Sequence, residues 1–225
     1  VRPGTPPHEG TETTHYSVVD AKGNAIAVTY TVNALFGAKV IADGTGFFLN
    51  DEMDDFTIKP GAANLFGLVQ GSRNAIAPGK RPLSSMSPTL VLKDGKVYMV
   101  LGSPGGSRII STVSEVILNV VDHGMTIQQA VNAPRVHHQW LPDQITIEPF
   151  ALSADTRAKL EAMGHKLVEQ SEWGAAEAIL IGPAAVAEEG PASSGNDSAL
   201  RLTPVPGTIY GGHDDRRPGG AASGY

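Results

Sequence analysis

Short alternating runs of β-forming residues, separated by turn signals and followed by one long amphipathic run, restrict this chain to an α+β fold built around antiparallel hairpins. His15–Val19 and Ala25–Val32 read as strands joined by Asp20-Ala21-Lys22-Gly23-Asn24. Thr89–Leu92 and Val97–Leu101 form a second such pair around Lys93-Asp94-Gly95-Lys96. Ile109, Ile110, Val113, Ile117, Val120 and Val121 then recur at helical spacing, which predicts a helix over Ser107–Val121 with Ser107 as N-cap. Thr126–Asn132 and Ser153–Met163 read as further helices, the latter capped by Ser153 and ended by Gly164. Ile145–Ile147, Lys166–Val168 and Ala176–Ile181 read as strands. Strands, then helices, then strands make a layered domain.

The chain has 225 residues, enough for one domain with a real core. With 41% hydrophobic and 18% charged residues and a formal net charge of -6, it is globular and has no basic surface for nucleic acid. Cysteine is absent, which excludes disulfides, thiol nucleophiles and thiolate metal sites. No apolar run reaches the eighteen or so residues of a membrane span. Val1–Glu12 is polar and Pro-rich and reads as a linker, and 183–206, rich in Ala, Gly, Pro and Ser, reads as a surface loop.

Thr13 opens the first alternating run. A threonine hydroxyl is a weak nucleophile at neutral pH, and its own α-amine can activate it only once the Glu12–Thr13 bond is broken. The same pattern also arises from plain β-propensity. Gly105-Gly106, ahead of the long helix, can present backbone N–H groups to a developing oxyanion or can simply make a tight turn. Asp51-Glu52-Met53-Asp54-Asp55 reads as a solvated acidic turn, a loose calcium site or a cation-binding pocket, without EF-hand spacing. His137-His138 lacks a second ligand cluster and reads as structural, so no metal is expected. His15 alternates away from Thr14 and stays outside the catalytic set. A Walker loop, a dinucleotide fingerprint and a Gly-x-Ser-x-Gly elbow are all absent.

Arg81-Pro82-Leu83-Ser84-Ser85-Met86-Ser87-Pro88, Gly102-Ser103-Pro104-Gly105-Gly106-Ser107-Arg108 and Asn132-Ala133-Pro134-Arg135-Val136-His137-His138-Gln139-Trp140, together with Thr13-Thr14-His15-Tyr16-Ser17-Val18-Val19-Asp20, resemble the small subunit of the γ-glutamyltranspeptidase family. The resemblance runs from Thr13 to Tyr225. It implies an N-terminal-nucleophile (Ntn) hydrolase with the small-subunit half of a four-layer αββα sandwich, and self-cleavage before Thr13. Thr13 is then the nucleophile, ahead of Thr11 and Thr14, with Thr31 orienting it and Gly105 and Gly106 as the oxyanion hole. By the same resemblance, Asn33, Glu52 and Asp55 bind an α-amino group and Ser84 and Ser85 an α-carboxylate, with a completing arginine on the large subunit. Pro60–Gly71 resembles a lid loop, with Phe66 where an aromatic side chain closes the site, or is a plain exposed Gly-rich loop. Trp173 receives no role.

The activity implied is γ-glutamyl transfer and hydrolysis on glutathione, glutamine and similar donors, through a γ-glutamyl-threonine ester and without a cofactor. The partners implied are the large subunit of the same precursor and amino-acid, dipeptide or water acceptors, in a periplasmic or secreted setting. A chain retaining residues 1–12 without the large subunit is expected to be inactive alone. Two alternatives stand beside this reading: a glutaryl-removing cephalosporin acylase of the same family, and a catalytically silent binding module.

Overall fold

The computed structural model describes residues 13–182, 207–217 and 220–224. Thr11, the Val1–Glu12 linker and the 183–206 loop lie outside the described residues.

Both predicted hairpins form. β1 (Thr13–Val19) pairs antiparallel with β2 (Ala25–Thr31) in a register that sets Thr13 opposite Thr31 and Val19 opposite Ala25. The turn between them is held by Asp20, whose Oδ1 accepts the backbone N–H of Lys22 and of Asn24, each at 2.8 Å. β3 (Thr89–Lys93) and β4 (Lys96–Gly102) meet through Asp94 and Gly95, both at positive φ, the two-residue loop whose twist matches paired strands.

Five further strands among the described residues complete the sheets. β8 (Glu177–Ile181) and β9 (Ile209–His213) extend the second hairpin to a four-stranded antiparallel sheet ordered β3-β4-β8-β9. β5 (Val136–His137), β6 (Ile145–Ile147) and β7 (Leu167–Glu169) form a small separate sheet in which β6 and β7 run parallel. β5 and β9 were not expected from sequence. The first has only two residues, and Gly211-Gly212 in the second lacks the β-branched signature of a strand.

α1 (Ile109–Val121) and α2 (Ile127–Asn132) cover one face of the four-stranded sheet. Met99 and Leu101 of β4 and Ala178 and Leu180 of β8 meet Ile109, Val113, Val116 and Val120 of α1 and Ile127, Ala130 and Val131 of α2 in a single core. The β1–β2 hairpin lies over the opposite face, where the Ser17 hydroxyl donates to the Glu177 carbonyl. β4 is therefore enclosed on both sides, and Met99, Val100 and Leu101 are all buried despite alternating direction. Helices, sheet and hairpin form successive layers, in line with the α+β sandwich half anticipated from sequence.

Two helix expectations are corrected. The buried stripe of α1 is Ile109, Thr112, Val113, Val116 and Val120, whereas Ile110 and Val121 face solvent. Ser107 caps nothing, because Gly106–Arg108 forms a 3-10 turn ahead of the helix and the Ser107 hydroxyl donates to Gln139 instead. The Ser153 cap is as expected, accepting the Thr156 N–H ahead of α3 (Ala154–Ala162), and Thr126 adds a capping box with Gln129.

Candidate active site

At the open end of the β1–β2 hairpin lies a cleft. It is lined by Thr13, Thr31, Asn33, Glu52, Asp55, Phe66, Ser84, Ser85, Met86, Gly106 and Ile109. Each residue given a catalytic, substrate-binding or lid role lines it except Gly105, whose α-carbon packs toward Gly174 and Ile109 one residue behind the wall.

The hairpin register brings the two threonines together. The Thr13 hydroxyl donates to Thr31 Oγ1 at 3.1 Å, and Thr31 Oγ1 also accepts the Asn33 N–H at 2.8 Å. Thr13 is buried, while Thr14 points outward, as alternation requires. His15 shares the buried face with Thr13 but not the cleft. Its ring is bonded to Thr29 Oγ1 at 2.8 Å and Ser17 Oγ at 3.0 Å, and burial pushes its pKa down to about 4, so the imidazole is neutral.

Asn33 sits just past β2 with φ 75, a left-handed conformation that asparagine tolerates better than most side chains. Its Nδ2 donates to the Asp51 carbonyl at 3.3 Å, which ties the end of β2 to the acidic turn and leaves Oδ1 as an acceptor. The turn itself, Glu52–Asp55, is one 3-10 turn that puts the Glu52 and Asp55 carboxyl groups side by side. Among the described residues, Glu52 Oε1 is buried without a hydrogen-bond partner. Burial first, then the charge of Asp55, raises the Glu52 pKa to about 7. Burial also raises that of Asp55, while the hydrogen bond from Glu52 works against the rise. Among the described residues, no cation figures among the groups that shift either one. The pair thus shares a proton near neutrality and has an unmet demand for a positive partner.

The opposite wall is neutral. Ser84 Oγ accepts the Met86 N–H at 3.2 Å, and Ser85 lies beside it, half-buried. Gly105 (φ 140) and Gly106 (φ 56) make a turn open only to glycine without strain, and Arg108 closes it by donating its N–H to the Gly105 carbonyl. Phe66 comes from a compact loop in which the Asn64 side chain accepts the N–H groups of Phe66 and Leu68, and the Asp54 carboxylate accepts that of Leu65. The Phe66 ring lies against the Gly106 α-carbon: an added Cβ there would meet ring Cδ1 at 2.5 Å and Cε1 at 2.8 Å.

The family model of Gamma-glutamyltranspeptidase matches residues 2–224. The chain belongs to this family. It is 52% identical over 225 residues to the glutathione hydrolase proenzyme of Pseudomonas sp. (strain A14), covering all of this chain and 37% of that protein. It is 53% identical over 184 residues to the Escherichia coli (strain K12) glutathione hydrolase proenzyme, covering 81% of this chain and 32% of that protein. The chain therefore spans roughly a third of the length of these curated relatives. Among solved structures, a mutant Helicobacter pylori gamma-glutamyltranspeptidase superposes with a TM-score of 0.78 at 50% identity, covering 91% of this chain and 100% of that one. The Pseudomonas nitroreducens gamma-glutamyltranspeptidase complexed with L-DON gives 0.76 at 42% identity, with coverage of 94% and 100%. A Bacillus halodurans cephalosporin acylase shares the fold at 23% identity and a TM-score of 0.67.

Sequence reasoning missed a buried ionic network behind the cleft. Arg135 pairs with Asp214, which also binds Arg216 at 2.9 Å, and Arg216 reaches Glu148 at 2.6 Å. Glu148 accepts the Trp173 N–H at 2.9 Å, and the Arg108 guanidinium lies 4.7 Å from the Trp173 ring centroid. Burial works against ionisation of Asp214, yet Arg135, the Ala176 N–H and Arg216 hold its pKa below the usual carboxylate value. Asp214 and Arg216 lie about 80 residues from Arg135, so no local pattern links them. The two adjacent histidines point apart: His137 is bonded to Ser111 and Gln139, and His138 to Asp143.

Proposed function

We propose that this chain is the small-subunit part of a γ-glutamyltransferase and hydrolase, formed when its precursor cleaves itself at Glu12–Thr13, with Thr13–Tyr225 as the catalytic small-subunit domain. The observation that carries the reading is the Thr13–Thr31 hydroxyl pair opening into a cleft with a carboxylate pair on one wall and serines and Gly106 on the other. A γ-glutamyl donor bears an α-ammonium and an α-carboxylate at one end. The first matches Asn33 Oδ1, Glu52 and Asp55, and the second matches the Ser84 and Ser85 hydroxyls.

The chemistry follows from that pose. The freed Thr13 amine takes the hydroxyl proton, and Thr13 Oγ1 attacks the γ-carbonyl carbon. Thr31 Oγ1 holds the nucleophile in line. The negative charge that develops on the carbonyl oxygen meets the N–H groups of the Gly105-Gly106 turn. The C–N bond breaks, the leaving amine takes the proton, and a γ-glutamyl ester remains on Thr13. Water attacks the ester to release glutamate, or an amino acid or dipeptide takes the acyl group. Phe66 on Gly106 limits the entry of water. Glutathione and glutamine are the natural donors. The large subunit supplies the remaining layer and the carboxylate-binding arginine, and the mature enzyme works in the periplasm or outside the cell. Within this chain, no helix among the described residues is long and apolar enough to cross a membrane.

The test is p-nitroaniline release from γ-glutamyl-p-nitroanilide by the full precursor, beside Thr13→Ala and a glutaryl anilide. Turnover of the glutamyl compound, lost in Thr13→Ala together with cleavage at Glu12–Thr13, is the expected result. Preference for the glutaryl compound would move the assignment to the acylase, and a folded, uncleaved, inactive protein would leave a binding module.

A further inference from the structure

The carboxamide of Gln139 bonds both the Phe66 loop and the residue after Gly106, although it lies outside the cleft lining. Its Nε2 donates to the Phe66 carbonyl at 3.3 Å and to the Leu141 carbonyl at 3.2 Å. Its Oε1 accepts from the Ser107 hydroxyl at 2.8 Å and from the His137 ring at 3.0 Å. Two donors and two acceptor positions are all that a carboxamide has, and all four are used. The assignment is unambiguous, because two backbone carbonyls can only accept and so fix which end is nitrogen. The same logic sets His137: Nε2 carries the proton toward Gln139, and Nδ1 accepts from the Ser111 hydroxyl at 2.6 Å.

These bonds join the Phe66 loop, the turn at the head of α1 and β5, and the Glu115 carboxylate of α1 adds a bond from the Val136 N–H of β5 at 2.9 Å. Ser107 follows Gly106 in the turn at the head of α1, and Phe66 is the aromatic residue resting on Gly106. His137 and Gln139 flank the end of β5, and Ser111 lies on the first turn of α1. One side chain therefore bonds the backbone of the loop above the cleft and the residue next to the oxyanion turn below it. The fit is close: a Cβ added at Gly67 would lie 3.3 Å from Gln139 Nε2.

We propose that Gln139 is a positioning residue that latches the Phe66 loop shut over Gly106, and that it thereby controls donor retention and the share of acyl-enzyme lost to water. The inference rests on the γ-glutamyltransferase reading for its kinetic consequences, but the latch itself is a physical claim about the loop. Gln139→Glu separates the two halves of the amide. A carboxylate still accepts from Ser107 and His137, but it offers no proton to the Phe66 and Leu141 carbonyls and turns a charge toward them. Gln139→Met keeps the length and removes all four bonds. Ser107→Ala removes the bond to the turn and leaves the one to the loop.

The experiment uses the complete two-subunit protein matured from its precursor. Amide hydrogen exchange across residues 61–70 is measured together with KM and kcat for γ-glutamyl-p-nitroanilide and the ratio of transfer to hydrolysis with glycylglycine as acceptor. In Gln139→Glu and Gln139→Met, exchange over 61–70 is expected to rise by about tenfold or more, the scale of one or two net hydrogen bonds lost. KM should rise by a similar factor and the transfer-to-hydrolysis ratio should fall, while Ser107→Ala leaves loop exchange near wild type. Wild-type loop exchange in both Gln139 variants overturns the latch, whatever the activity. A drop in kcat with KM and loop exchange unmoved also overturns it, because that is the mark of less folded enzyme. A wild-type protein without γ-glutamyl turnover refutes the functional reading, and the exchange data still decide the latch.

Discussion

Placing a single methyl group on Gly102 tests how Thr13 is held, because that glycine is where the hairpin layer touches the four-stranded sheet. Gly102 ends β4, and the buried His15 ring lies flat on its α-carbon. A Cβ there would sit 2.8 Å from His15 Nε2 and closer still to Nδ1 and Cε1. Ordinary contact begins near 3.4 Å, so Nε2 alone must retreat by about 0.6 Å and the rest of the ring by more. The ring cannot swing aside cheaply, since both nitrogens are hydrogen-bonded, to Thr29 and to Ser17. The hairpin must therefore lift as a unit, and Thr13, two residues along on the same face, moves with it. Overpacking of this kind costs about 1–3 kcal/mol of stability. A shift of about 1 Å at a reacting group costs on the order of 100-fold in rate. Gly102→Ala in the full precursor is thus expected to lower both the thermal midpoint and anilide turnover. Truncating the ring as well, in Gly102→Ala/His15→Ala, should recover part of the stability and give a clearly non-additive double-mutant cycle. A Gly102→Ala enzyme with wild-type turnover and midpoint, or a cycle that is simply additive, would refute the account of how the nucleophile is seated.

Two further outcomes follow from the charges. Capture of an α-ammonium needs Glu52 ionised, and with its pKa raised to about 7 the ionised share grows roughly tenfold from pH 6 to pH 8. The Ki of L-glutamate as product inhibitor should tighten by a similar factor over that range and should be weak and flat in Glu52→Gln. The folded-state pKa is raised, so this carboxyl's contribution to stability is complete below about pH 4.5 and is lost as pH rises through about 7. Behind the cleft, Asp214→Ala leaves Arg135 and Arg216 buried without their shared carboxylate, which should cost about 3–5 kcal/mol in the denaturation of the mature protein, whereas a loss below 1 kcal/mol would show that Glu148 alone suffices.

The parts of this protein that are local in sequence were legible there. The Asp20–Asn24 and Asp94-Gly95 turns announce their hairpins because each needs residues that bond their own backbone or accept positive φ. The Ser153 cap is equally local. Ser107 misled because its hydroxyl had a better partner in Gln139, 32 residues away, than in the helix it precedes. The cleft walls, drawn from segments between Thr13 and Ile109, were legible only through motifs shared with the family, since no spacing rule brings Ser84 to Glu52. The Arg135–Asp214–Arg216–Glu148 network and the Gln139 latch were not legible, because each joins stretches of chain that only the tertiary fold brings together.

The first hairpin carries a mechanical implication. Six paired positions separate the Asp20–Asn24 turn from the Thr13–Thr31 contact, and each residue along them turns the side chain to the other face. The turn thus works as a ruler. Its residues can change wherever an equivalent turn forms, but its length cannot change by one on a single strand without facing Thr14 or a gap toward Thr31. On one strand of this hairpin, a single added residue would leave the strands paired with the nucleophile on the wrong side.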